Sequence, residues 1–97
     1  DLRFAFTHMG CREFGFSTID AIRDIENIWV ETSCQMEVEN LEKAVRELGS
    51  KRIAFGSDWP YKPTNIEIDK MLYLGLSDDE LEDVFWRNTE YLWQKKG

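Results

Sequence analysis

Lys51 to Pro60 reads K-R-I-A-F-G-S-D-W-P, a short apolar run that passes through a glycine into an acidic residue and a stiff Trp-Pro pair. Ile53 to Phe55 has the length and composition of a strand, and Gly56 permits close backbone approach where it ends. Upstream, Val38, Leu41, Val45 and Leu48 recur at helical spacing from Glu37 to Leu48, with Glu42 and Arg46 four apart on the solvated side and Gly49 as the stop. Ile28 to Thr32 (I-W-V-E-T) is a second strand. Ser17 or Thr18 can cap a helix through about Ile25, with Ile19 and Ile22 on one face and Asp20 in its first turn. Leu2 to Thr7 (L-R-F-A-F-T) is a first strand that closes at His8-Met9-Gly10. Strands alternating with helices predict a parallel sheet with right-handed crossovers, so all strand C-termini share one edge.

Downstream of Pro63, Ile66 to Leu74 reads as a helix ended by Gly75, and Ser77-Asp78-Asp79-Glu80 is a capping box opening a helix through about Trp86. Leu81, Val84 and Phe85 form its apolar stripe. Asn88 to Gln94 continues helically after a bend at Arg87-Asn88, and the Lys95-Lys96-Gly97 tail suits a helix C-terminus. Trp86, Tyr91 and Trp93 are expected to pack these helices against the sheet.

The 97 residues fit one domain, 1–97, with 42% hydrophobic and 32% charged residues interleaved as in an ordered globular chain. A formal charge of −7 without a basic stripe argues against nucleic acid as a partner. Apolar runs are strand-sized, which predicts neither a signal peptide nor a membrane span. Two cysteines, Cys11 and Cys34, are too few for a disulfide framework and form no C-x-x-C, so a reducing cytoplasm is the expected setting. The start at Asp1, just before a strand, suggests a fragment.

The predicted C-terminal edge carries His8, the Thr32-Ser33-Cys34 group and Asp58, and such an edge is where α/β folds place ligands. His8, the single histidine, can ligate a metal or act as general acid or base; the alternative is a strand-end histidine bonded to a carbonyl. Asp58 can bind a divalent cation or move a proton; the alternative is a carboxylate capping its own loop. Cys11 and Cys34 fall on the same edge and can approach each other or a metal, with free, partly buried thiols as the simpler expectation. Glu31 can face the sheet interior or the helix layer, where a salt bridge is expected. Catalytic zinc takes three protein ligands and an open position, and without a second histidine or an H-x-H the remaining ligands must come from elsewhere.

T-H-M-G after a strand, N-I-W-V-E-T-S, K-R-I-A-F-G-S-D-W-P and the L-G-L-S-D-D-E-L-E-D-V-F-W-R-N-T-E-Y-L tail together resemble the C-terminal end of the amidohydrolase-related family of metal-dependent hydrolases, lactonases and decarboxylases. The resemblance implies a TIM (β/α)₈ barrel, of which this chain supplies the sixth to eighth strands and their helices. It implies that His8 contacts catalytic water or substrate, that Asp58 binds the metal and shuttles a proton, and that Asn88 is structural. It departs from the family in lacking the first-strand H-x-H and the fifth-strand histidine, and in Cys11 standing where a second glycine is common. A whole barrel takes about 250 residues.

The first functional reading is therefore part of a hydrolase of amides, esters or lactones that uses metal-activated water. The cofactor would be a divalent metal, zinc by preference, the partner a small-molecule substrate, and the isolated chain is not expected to be active. A decarboxylase using the same residues is the family alternative. A non-catalytic α/β module that self-associates, or completes a barrel with another chain, is the second class. A receiver-like module with Asp58 as a phosphate or Mg²⁺ site ranks below these, since His8 stands where it needs further carboxylates.

Overall fold

Ile28–Glu31 (β2) holds the middle of a three-stranded parallel sheet, its Trp29 and Val30 buried on opposite faces and a strand paired on each side. The computed structural model describes residues 2–10 and 15–94. β1 (Phe4–Phe6) pairs with β2 in the register Phe4 to Ile28, Ala5 to Trp29 and Phe6 to Val30, and β3 (Ile53–Ala54) pairs Val30 with Ile53 and Glu31 with Ala54. Alternation sends Ile28 and Val30 toward the helices, leaving Trp29 and Glu31 on the opposite face. The core gathers Val30 and Ile53 with Met9, Ile19, Ile22, Leu41, Ala44, Leu48, Met71 and Val84.

Two helices connect the strands: α1 (Gly15–Ile22) between β1 and β2, and α2 (Val38–Leu48) between β2 and β3. α1 is already helical at Gly15, ahead of the expected caps, and Gly15 packs on Asn40 of α2, where a Cβ would come within 2.4 Å of the amide nitrogen. It also ends earlier, at Ile22. Helix termini leave carbonyls without partners, and here the Arg52 guanidinium takes those of Ile22, Arg23 and Ile25 as well as that of Ile28. Asp20 consequently lies beyond the first turn. Its role is cross-helix pairing rather than dipole stabilisation: its carboxylate accepts from Lys43 of α2 at 2.7 Å, the main cause holding it below the ordinary carboxylate range. α2 stops at Gly49, whose φ of 78° few other residues tolerate.

After β3 come α3 (Thr64–Leu72), α4 (Asp78–Glu82) and α5 (Asn88–Trp93). The capping box is present as predicted: Ser77 Oγ accepts from the Glu80 N–H while the Glu80 carboxylate takes the Ser77 N–H. In place of a bend, a π-turn at Asp83–Arg87 joins α4 to α5, and Val84 O accepts Phe55 N at 2.9 Å along the β3 edge. Asp83 is buried, which opposes ionisation, but hydrogen bonds from Ser50, Arg87 and Lys51 outweigh that and hold its carboxyl below the usual range. Trp86 and Trp93 do not pack on the sheet. They are 49% and 83% exposed, since the apolar stripe of this helical run is spent on Val84 and Phe85. Tyr91 alone of the three reaches back, its ring 5.7 Å from that of Trp29. The expected Lys95–Gly97 helix end lies outside the described residues.

Asn88 fulfils the structural role the resemblance implies: it is buried, and its Nδ2 donates to Ser50 O at 2.6 Å and Ile53 O at 2.8 Å. It ties the last helix to the entry of β3. Asn88→Ala removes two hydrogen bonds from buried backbone carbonyls and should lower the unfolding free energy by about 2 kcal/mol, whereas Ser77→Ala at the exposed cap should cost only about 1 kcal/mol. Urea denaturation of the two variants measures the difference, and equal losses would contradict the anchoring role of Asn88.

Candidate metal centre

The sheet delivers His8, Cys34 and Asp58 to one edge, each just beyond the end of its strand. One ligand-capable atom from each lies within 4.8 Å of the other two. His8 has φ 62°, Cys34 φ 63° and Asp58 φ 57°. Left-handed backbone is uncommon for residues other than glycine and is concentrated where the surroundings fix a functional geometry. All three strand exits adopt it at a residue that carries metal-binding chemistry, and at the first exit Met9, φ 52°, shares it.

Glu31 organises the edge. Its Oε1 accepts the His8 N–H at 3.2 Å and the Ser33 hydroxyl at 2.8 Å, and its Oε2 accepts the Ser33 N–H at 2.8 Å. Gly56 makes room for that carboxylate, since a Cβ there would fall 1.6 Å from Oε2. The close approach expected at Gly56 is therefore made by a side chain. The salt bridge expected of Glu31 is a contact with His8, Nδ1 to Oε1 at 3.9 Å. Behind it, Lys70 and Glu67 form a buried pair at 2.6 Å, and Lys70 also donates to Thr32 O at 2.8 Å, fixing the exit of β2. Neither residue was singled out from the sequence, where a Glu and a Lys three apart on a helix read as a solvated face.

His8 Nδ1 sits 2.8 Å from Ser33 O and 2.9 Å from Ser33 Oγ, whose own proton goes to Glu31. A carbonyl can only accept, so the neutral ring carries its proton on Nδ1 and its lone pair on Nε2, which has no partner among the described residues. Bonding to a carbonyl and availability as a ligand are thus not alternatives for His8; the first prepares the second. The Asp58 carboxylate does not cap its own loop. The loop is closed by Asp58 O, which accepts Tyr61 N at 2.9 Å, and by Ser57 Oγ, which accepts Trp59 N at 3.3 Å. Asp58 Oδ2 instead accepts the Cys34 thiol at 3.1 Å, and Oδ1 has no partner among the described residues. Cys34 is a free, half-buried thiol, and Cys11 lies outside the described residues. An imidazole nitrogen, a thiol sulfur and a carboxylate oxygen so placed fit a divalent ion of borderline softness.

Against this geometry, the amidohydrolase family profile matches residues 1–95, and the chain belongs to that family. Among curated relatives, the gamma-resorcylate decarboxylase of Polaromonas sp. strain JS666 is 28% identical over 69 residues, which are 71% of this chain and 21% of the relative. A solved dihydroxybenzoic acid decarboxylase from Polaromonas sp. JS666, with manganese and the inhibitor 2-nitroresorcinol bound, superposes with a TM-score of 0.63 at 25% identity, covering 77% of this chain and 22% of that one. An amidohydrolase from Burkholderia multivorans with bound zinc shares the fold at a TM-score of 0.78 and 13% identity, over 94% of this chain and 43% of that one. The aligned part of the chain thus spans about a fifth of the curated relative, and the fold is that of βα units of a larger α/β barrel. Divalent metals are bound within the family, manganese in one of these structures and zinc in the other.

Burial pushes the Cys34 thiol up, and the hydrogen bond and charge of Asp58 add to it, from an ordinary 9.0 to about 11. Because the folded value is the raised one, Cys34 contributes stability in full below pH 9.0 and loses it as pH rises through about 11. In a Cys11→Ser background the ultraviolet absorption of the thiolate should titrate near pH 11, and Asp58→Asn should return the midpoint toward the ordinary value. A midpoint that Asp58→Asn leaves where it was would show that the Cys34–Asp58 contact does not contribute to the rise.

Proposed function

We propose that this chain supplies the acid–base side of a divalent-metal site that acts on a small carboxylated molecule, with decarboxylation of a hydroxylated aromatic acid as the leading reaction. The observation that carries it is the convergence of His8 and Asp58, from the first and third strand exits, beside one another at the C-terminal edge. The identity to gamma-resorcylate decarboxylase favours decarboxylation over hydrolysis. Asp58 is the residue that would hold the ion, and His8 Nε2 the atom that would meet the substrate or water. A bound divalent ion supplies a Lewis acid and an acidified water.

His8 is built to move a proton. With Nδ1 committed to Ser33, proton gain and loss take place at Nε2, and the Glu31 carboxylate 3.9 Å from Nδ1 supplies a counter-charge to the imidazolium. Asp58 is acceptor-only when ionised and can take or return a proton at Oδ1. Loss of carbon dioxide requires delivery of a proton to the carbon left behind; hydrolysis of an ester, amide or lactone requires removal of one from water. The same two groups serve either direction, which is why hydrolysis stands as the second reading, supported by the family the chain belongs to.

Metal-dependent release of carbon dioxide from 2,6-dihydroxybenzoate is the expected activity, with His8→Asn and Asp58→Asn each lowering kcat by about a hundredfold or more. Hydrolysis of a lactone or ester panel without carbon dioxide release would favour the hydrolase reading. Neither activity in a fully assembled, metal-loaded sample would leave the non-catalytic module.

Assembly is part of the proposal. β1 is an edge strand with Phe4 49% and Phe6 44% exposed, and Phe4, Ala5, Phe6 and Ile28 line an open apolar cavity. Such an edge pairs with another strand, either the remainder of a barrel or a second copy. Turnover is expected only from an assembly that covers it, in the cytoplasm, where Cys34 stays reduced. Small-angle scattering of the 97-residue chain should show concentration-dependent growth that Phe6→Lys suppresses; a chain that stays monomeric throughout would remove this reading.

A further inference from the structure

We infer that Lys62 is a specificity-determining residue of this edge, the cation that receives the carboxylate of the substrate. The inference rests on the proposed reading of the edge as a site for a small carboxylated molecule. It adds the group that tells such an acid from a neutral molecule of the same shape.

Placement is the first argument. Lys62 follows Asp58 by four positions, and the loop between them is closed, since Asp58 O accepts Tyr61 N at 2.9 Å. Pro63, with φ −66°, caps α3 immediately afterwards. The Lys62 backbone is thus held between the third strand exit and a helix whose Lys70 donates to Thr32 O at the second exit. Its side chain is exposed. Its charge also reaches the Cys34 thiol, where it opposes the effect of burial and of Asp58. A flexible four-carbon stem lets the ammonium turn toward whatever occupies the space beside Asp58.

Charge is the second argument. Glu31 and Asp58 both present carboxylates at this edge, and neither is paired with a lysine or arginine among the described residues. An incoming carboxylate therefore meets like charge, which is unfavourable unless a cation faces it. Lys70 cannot serve, because it is buried and committed to Glu67 and Thr32 O. Every other lysine and arginine among the described residues has an ion pair or a hydrogen bond, and Lys62 has neither. No existing pair has to break for Lys62 to bind an anion. Its ammonium carries three donors and no acceptor, which suits a carboxylate's two oxygens. Once carbon dioxide has left, the product lacks the group that Lys62 holds, so the same contact favours the acid over the product.

Kinetics of the metal-loaded assembly test this. With 2,6-dihydroxybenzoate, Lys62→Gln should raise KM about tenfold or more while kcat stays within about twofold. Lys62→Arg should restore most of the affinity, because it keeps the charge. Resorcinol, the same ring without the carboxylate, should inhibit the parent and Lys62→Gln equally. An unchanged KM, or an equal weakening of resorcinol, overturns the role of Lys62 while leaving His8 and Asp58 in theirs. If the assembly turns over no 2,6-dihydroxybenzoate, the decarboxylase reading falls, and calorimetry with the same two ligands decides Lys62 separately. A preference for the acid over resorcinol that Lys62→Gln abolishes supports the inference; binding both alike, or neither, overturns it.

Discussion

The carboxylate of Glu31 is the interaction on which the arrangement of the edge depends. It stands at the end of the central strand and gathers the backbone N–H of His8 from the first strand exit and the N–H and hydroxyl of Ser33 from its own. It fills the space above Gly56 at the third exit. A charged acceptor engaged by three donors holds its geometry more firmly than neutral pairs would. Removing it would leave three donors to find new partners at the point where the loops diverge.

That anchor accounts for how the three exits tolerate left-handed backbone at His8, Cys34 and Asp58. Such conformations cost free energy and persist only where the surroundings over-determine them. Here they are held from above by Glu31 and Ser33, and from the helix side by the buried Lys70, which donates to Thr32 O. A buried ion pair such as Lys70–Glu67 is a weak source of net stability. Its value at this site lies in direction, because a lysine with Glu67 as counter-ion can hold a strand-end carbonyl in place. The packed core and the Asn88 bonds to Ser50 and Ile53 supply rigidity further down the sheet.

The elements were legible because their signals are local. The 3.6-residue recurrence of Val38, Leu41, Val45 and Leu48, the capping box at Ser77 to Glu80 and the glycine stop at Gly49 each act within a turn or two of chain. Helix boundaries were read less well wherever a distant residue set them. Arg52 takes the carbonyls at the end of α1, at Ile22, from thirty residues away. The aromatic residues misled for a related reason: Trp86 and Trp93 look like core, but the π-turn and the registration of Val84 and Phe85 place them outside.

The sequence by itself determined that strands alternate with helices, that the sheet is parallel, and that His8 and Asp58 end up on one edge, since in a βα repeat every strand points the same way. It could not determine what those side chains touch. The pairing of Cys34 with Asp58, the setting of the His8 tautomer by Ser33 and the seating of Glu31 over Gly56 join residues more than twenty positions apart. Separations of that size carry no periodicity for a sequence pattern to display. They arise only when parallel pairing brings three loops into register, and tertiary structure alone decided that the Cys34 thiol meets Asp58.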